Sequence, residues 1–163
     1  MSDMLVPLYK LPEHHALLRT LAESGIEIRR GLVPEKHKVT AWVRENFRPS
    51  WVDECEAAFA RVPVSCWIAV EKGELIGFGC YDSTCRGFFG PTGVSEAARG
   101  KGVGKAILLA CLHAMQAEGY GYAAIGGVGP KEFYAKAAGA IEIPDSTPGI
   151  YKGMLSALRN PNG

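Results

Sequence analysis

Three glycines in five residues, Gly100, Gly102 and Gly104, stand between an extended apolar segment that ends at Val94 and a run of helix formers from Ala106 to Leu112. In a helix interior each glycine costs about 1 kcal/mol relative to alanine, so such a cluster at a helix start needs a reason. Close backbone access is that reason, because no side chain stands between a ligand and the amides. The first N–H groups of a helix lack intrahelical partners and lie at the positive end of its dipole. Arg99, Lys101 and Lys105 add charge around the same turn. A strand–loop–helix unit of this composition suits a phosphorylated ligand.

Two common phosphate motifs fail on spacing. A Walker A loop requires glycine five residues before Gly104, where Arg99 stands, and Ser or Thr after Lys105, where Ala106 stands. A dinucleotide fingerprint begun at Gly100 needs glycine at Lys105; begun at Gly102 it needs glycine at Ile107.

The 163 residues suit one core, and the 47% hydrophobic content is enough to fill it. A net charge of +1 gives no global field for nucleic acid or a membrane, and no aromatic–basic platform for RNA is evident. The apolar run 106–112 is far shorter than the roughly 20 residues of a membrane span, and residues 1–4 carry no secretory pattern. Five cysteines occur without a C-x-x-C pair or histidines at ligand spacing. Most read as small buried hydrophobes in a reducing cytoplasm, with no metal expected, and a cysteine nucleophile is the lesser alternative because none has a base near it in sequence.

Along the chain, residues 4–9 are short and apolar, and Pro7 argues against a central strand there. A helix follows from Pro12 to about Gly25, with His14 and His15 expected at its surface. Residues 1–25 are therefore expected as an N-terminal extension packed on a main domain spanning 26–155, with 156–163 a fraying tail. Within the domain, alternation predicts a strand over 26–30. Pro34 opens one helix, and Ser50 is a candidate N-cap for the next. Strands are expected over 64–70, 75–81 and 85–94, the last with a bulge at its Gly and Pro residues. The helix 102–118 follows, then a strand over 122–128, a short helix over 131–138, and two strands over 140–143 and 149–155.

Val94 followed by Arg99-Gly100-Lys101-Gly102-Val103-Gly104 resembles the acyl-CoA pyrophosphate loop, R-x-x-G-x-G, of the GCN5-related N-acetyltransferases, the GNAT superfamily. Phe133-Tyr134-Ala135-Lys136 with Gly139 resembles the family's F-Y-x-K…G helix, and the element order over 26–155 looks like the whole domain. The resemblance implies an α/β fold of mixed α+β type: a central, mostly antiparallel, splayed sheet of six or seven strands flanked by about four helices.

It further implies an N-acetyltransferase that uses acetyl-CoA as cosubstrate, with a small-molecule or peptide amine as acceptor and a homodimer left open. Backbone groups of Thr92 and Val94 would pair with the pantetheine arm, and those from Arg99 to Lys105 would hold the pyrophosphate. Phe133 and Tyr134 would lie near the cosubstrate, and Tyr134 would act as general acid for the leaving thiolate. Two positions depart from the family: Gly127 stands where many members carry Asn, and Cys85-Arg86-Gly87-Phe88-Phe89 offers no carboxylate base. Asp82, Glu132 or a water chain remain open as bases. Asp53, Glu54 and Glu56 on a groove helix suit a cationic substrate and a solvated face alike. Trp42 and Trp51 read as core or as groove wall. The alternative function is a non-catalytic acyl-CoA sensor or regulatory module.

Overall fold

The computed structural model describes residues 1–155, so the expected tail at 156–163 lies outside the described residues. Seven strands form one sheet: β1 Met4–Pro7, β2 Ile26–Arg30, β3 Cys66–Glu71, β4 Glu74–Tyr81, β5 Phe88–Val94, β6 Tyr122–Ile125 and β7 Ile141–Glu142. Their order is β2-β3-β4-β5-β6-β1-β7, antiparallel except where β5 meets β6. Helices α2 (Lys36–Asn46) and α3 (Pro49–Phe59) cover one face. Helices α1 (His15–Glu23), α4 (Val103–Ala117) and α5 (Lys131–Ala138) cover the other.

The parallel contact is short. Only Phe88↔Ala124 and Phe89↔Ile125 pair, and β6 then ends while β5 runs on to Val94. This is the expected splay. The bulge is present too: Gly79 pairs with Thr92 and Tyr81 with Phe89, so Gly90 and Pro91 oppose Cys80 alone.

Helix α4 is buried through most of its length, as its apolar first half predicts. It lies close on β4 because that strand offers glycines beneath it: a methyl at Gly79 would stand 2.5 Å from Ile107 Cγ2.

Four expectations are corrected. Residues 4–7 form an inner strand, paired to β6 on one side and β7 on the other. Pro7 is tolerated because Leu8 N–H turns to Gly121 O at 3.1 Å, which points the Pro7 nitrogen to the opposite edge. There β7 has already ended after reaching Met4 and Leu5. Second, 149–155 is no strand: Gly149–Tyr151 is a 3-10 turn, and β1 supplies the seventh strand instead. Third, Arg48 rather than Ser50 caps α3, with Pro49 in its first turn. Fourth, His14 is only 9% exposed, its ring stacked on His113 at 4.1 Å. His113 Nε2 donates to the Pro12 carbonyl at 2.8 Å, which clips the start of α1 to α4.

Leu8 is fully buried against α4, next to the inner strand. Leu8→Ala is expected to cost about 2–5 kcal/mol in urea unfolding; a peripheral segment would lose almost nothing. Burial, then the neighbouring His113 and His15, hold the His14 imidazole below its ordinary value against the opposing pull of Glu13. The unfolded chain therefore binds more protons below about pH 6.5, and stability should fall as pH drops through that value. His14→Phe should flatten this slope in urea midpoints taken between pH 7.5 and 5.

Candidate active site

Beyond Phe89 the far edge of β5 faces an open notch. Ser95 N–H donates back to Ile76 O on β4 at 2.9 Å, and strand alternation then turns the backbone groups of Val94 and Thr92 toward the notch. The Thr92 hydroxyl is used elsewhere, donating to Phe78 O at 3.0 Å. After Val94 the chain makes a 3-10 turn, Glu96–Ala98, pinned by the buried Ala98. It then enters α4 through Gly102, whose φ of +87° favours glycine.

The first backbone bond of α4 runs from Ala106 N–H to Gly102 O at 3.0 Å, and no side chain caps the helix. The amides of Val103, Gly104 and Lys105 thus face out from the helix start without an intrahelical partner. Val94 Cγ2 lies 3.6 Å from a methyl placed at Gly104, so strand end and helix start are in contact. Arg99, Gly100, Lys101 and Lys105 are exposed around this turn, while the Val103 side chain is buried and anchors it. A cavity of about 240 Å³ opens here between Phe47 and the Val94–Glu96 segment, with Arg99 on its rim. The residues fit a diphosphate joined to an extended amide-bearing arm: orphan amides without a cap, followed by an open strand edge.

Tyr134 on α5 stands at the root of the notch. Its ring meets Phe89 edge-on at 6.4 Å and Phe133 at 5.1 Å. Phe133 is 39% exposed and Tyr134 7%. Burial pushes the Tyr134 phenol up to about 12, so it holds its proton at neutral pH. Sequence reasoning placed the loop and this helix correctly.

On the opposite face of the notch the expected groove-wall tryptophans are joined by Phe47 and Tyr151, which the sequence did not single out. Phe47 lies over β5 so closely that a methyl at Gly93 would stand 2.3 Å from its Cζ. Trp42, Trp51 and Phe78 pack around Phe47, with ring centroids 5.1–6.1 Å apart, so both tryptophans belong to one partly buried aromatic wall. Tyr151, from the turn expected as a strand, brings its hydroxyl to within 2.3 Å of a methyl position at Gly126, beside Phe88.

Asp3 organises this corner. It accepts from Gly127 N–H at 2.8 Å, and its own N–H donates to Ser146 Oγ at 2.7 Å. Gly127, where the family pattern has Asn, therefore offers only a backbone amide, and Asp3 takes it. No signal local to the sequence could pair Asp3 with Gly127.

Among the carboxylates, Asp82 is committed elsewhere. Its side chain is 6% exposed, bridged to Arg61 at 3.0 Å, and it accepts from Gly87 N–H and Tyr120 OH. Arg61, Asp82 and Tyr120 line a larger cavity of about 440 Å³ at the far end of α4, away from the glycine loop. Glu132 is exposed on α5. Glu54 on α3 is half-buried and accepts from the Thr84 hydroxyl. Burial raises its carboxyl above the usual range, and the Thr84 bond opposes the rise. All five cysteines are free. Among the described residues no cluster of three or more His, Cys, Asp or Glu could hold a metal, and no helix could cross a membrane.

Solved structures share the fold. A fungal multi-domain GH3 β-N-acetylglucosaminidase with a GCN5-related glucosamine N-acetyltransferase region superposes with TM-score 0.70 at 16% identity, covering 87% of this chain and 19% of that one. A GCN5-related N-acetyltransferase from Sphaerobacter thermophilus gives 0.60 at 19% identity, over 87% of this chain and 48% of that one. A Drosophila protein gives 0.60 at 15% identity, over 87% and 47%. The chain thus spans less than half the length of each. No curated protein matches the sequence. The Acetyltransferase (GNAT) family matches residues 36–139, from the first residue of α2 to the glycine that ends α5. That span holds the glycine loop, the notch and Tyr134, and takes in more than half of the sequence; the chain belongs to the GNAT acetyltransferase family.

Proposed function

We propose that this protein transfers the acetyl group of acetyl-CoA to a primary amine by direct attack on the thioester. One observation carries the reading: the open edge of β5, at Thr92 and Val94, runs straight into the uncapped start of α4. An extended amide-bearing arm would add to that edge as a pseudo-strand, and the diphosphate would lie on the amides from Arg99 to Lys105. The Val94 N–H, aimed into the notch, would take the charge that develops on the carbonyl oxygen. Tyr134, protonated at neutral pH, would return a proton to the sulfur. Binding and orientation supply much of the remaining acceleration. Five free thiols support a reducing, cytoplasmic setting. An amino sugar belongs among the amines to screen, since the fungal neighbour carries a glucosamine N-acetyltransferase region.

Calorimetric titration with acetyl-CoA should give saturable binding that a Gly102→Asp/Gly104→Asp variant abolishes by placing carboxylates where the diphosphate would sit. No binding to the unmodified protein overturns the proposal. With an amine that releases CoA, Tyr134→Phe should lower kcat about 10²–10⁴-fold while leaving acetyl-CoA affinity in place. Unchanged turnover would remove the acid role. Binding without CoA release from any amine would favour an acyl-CoA sensor.

A further inference from the structure

We infer that Glu54 is the proton acceptor of the acceptor subsite, and that this subsite, on the α3 face of the notch between Thr84 and Tyr151, takes a protonated primary amine. The inference rests on the acetyltransferase reading and names the base which that reading leaves open.

Geometry singles out Glu54. Of the three acids on α3, Asp53 and Glu56 are exposed and Glu54 is half-buried. Asp82 is saturated by Arg61, Gly87 and Tyr120 at the far end of α4, and Glu132 points into solvent from α5. Glu54 is tied through the Thr84 hydroxyl to the β4–β5 connection. The adjoining Ser83 hydroxyl donates to Gly90 O at 3.1 Å, on the first residue of β5 past its pairing with β6. Across the notch the Tyr151 hydroxyl lies over Gly126, the first residue past β6. Glu54 and Tyr151 thus approach the mouth of the notch from its two sides, on the face opposite Tyr134.

The electrostatics agree. Glu54 is bonded to Thr84 and lies within electrostatic reach of Cys85 on the β4–β5 connection, of Tyr151 in the last turn, of Arg48, which caps its helix, and of Asp53 and Cys55 on that helix. Burial is the largest influence and lifts its carboxyl, and Asp53 and Cys55 act the same way against Thr84 and Arg48. A raised carboxyl is a better proton acceptor than an ordinary one. A cation arriving there also replaces solvation that Glu54 has lost to burial.

The proton balance closes. Glu54 takes one proton from the ammonium and passes it to solvent. The nitrogen lone pair forms the bond to the acetyl carbon, and the electron pair of the C–S bond goes to sulfur. Tyr134 protonates that sulfur and regains a proton shed by the new amide nitrogen. One amide, one thiol and one proton result.

The test compares the unmodified protein with Glu54→Gln and Thr84→Val, using acetyl-CoA with glucosamine, spermidine and benzylamine as probes from pH 5 to 10. Acetyl-CoA affinity by calorimetry reports the fold and the cofactor site in each. Glu54→Gln should keep that affinity and lose about 10²–10⁴-fold in kcat/KM at pH 7, and its rate should climb with pH as free amine appears. Thr84→Val removes a bond that favours the charged carboxylate, so its acidic limb should move to higher pH. If Glu54→Gln turns over like the unmodified protein, the assignment falls and the acetyltransferase reading stands. If the unmodified protein binds no acetyl-CoA, or releases CoA with none of the probes, both fall together.

Discussion

A strand edge buried in a protein needs partners for its backbone groups, and the design of this molecule follows from leaving one such edge open. β5 is paired to β4 on both sides of its bulge, yet β6 accompanies it for only two residues before ending at Ile125. Where the two strands part, Phe88 stands beside Gly126 on one face, and Phe89 meets Tyr134 on the other. The sheet gives up ladder hydrogen bonds along 90–94 and gains a slot whose wall is a row of orphan backbone groups. A ligand with amides in an extended arm can satisfy that row. A compact or purely apolar ligand cannot.

The slot would be of little use if the helix beginning beyond it were not aimed at its end, and the packing of α4 secures that. Gly77 and Gly79 leave room for Ile107 to sit on β4, and Ile107 is wholly buried. Fully burying such a side chain contributes about 1.5–3 kcal/mol, so the helix position is well determined at this point. Its start then falls against Val94. Above it, Leu17 of α1 approaches Gly102, and the stacked His14 and His113 pin α1 in place. The glycine loop is therefore flexible in composition but clamped from both sides, which suits a site that must present amides rather than rearrange.

What the sequence revealed was what is encoded locally. The glycine spacing, the apolar run of helix formers that opens α4 and the α5 boundaries at Pro130 and Gly139 all involve neighbours in the chain, and each could be read in advance. The sheet edge beyond β6 could not. Whether residues 4–7 or 149–155 join β6 depends on pairing across more than a hundred residues, and the usual penalty for proline in a strand misled because Pro7 falls just past the end of β7. The same non-local contact explains the missed corner of the site. Asp3 ties Gly127 to Ser146, and this in turn delivers Tyr151 to the notch. Glu54 was visible as one of several acids on a helix, but its burial depends on how α3 meets the β4–β5 connection, which no spacing rule states.

Adjacent residues of a strand point to opposite faces, and that simple alternation divides the chemistry of the notch. Phe89 holds Tyr134 on one side, and Phe88 accompanies Tyr151 on the other. Burial pushes both phenols up to about 12. Both therefore keep their protons across the range in which a primary amine, with a pKa near ~10, is still charged. Neither can take a proton from an ammonium ion, though either can give one to a thiolate. In the proposed transfer, proton removal would fall to a carboxylate that has solvation to regain. On the acceptor face, the carboxylate proposed for that task is Glu54, half-buried and bonded to the Thr84 hydroxyl. The proposed acid and the proposed base would thus stand on opposite faces of one slot as a consequence of the pleat, with the open strand edge running between them.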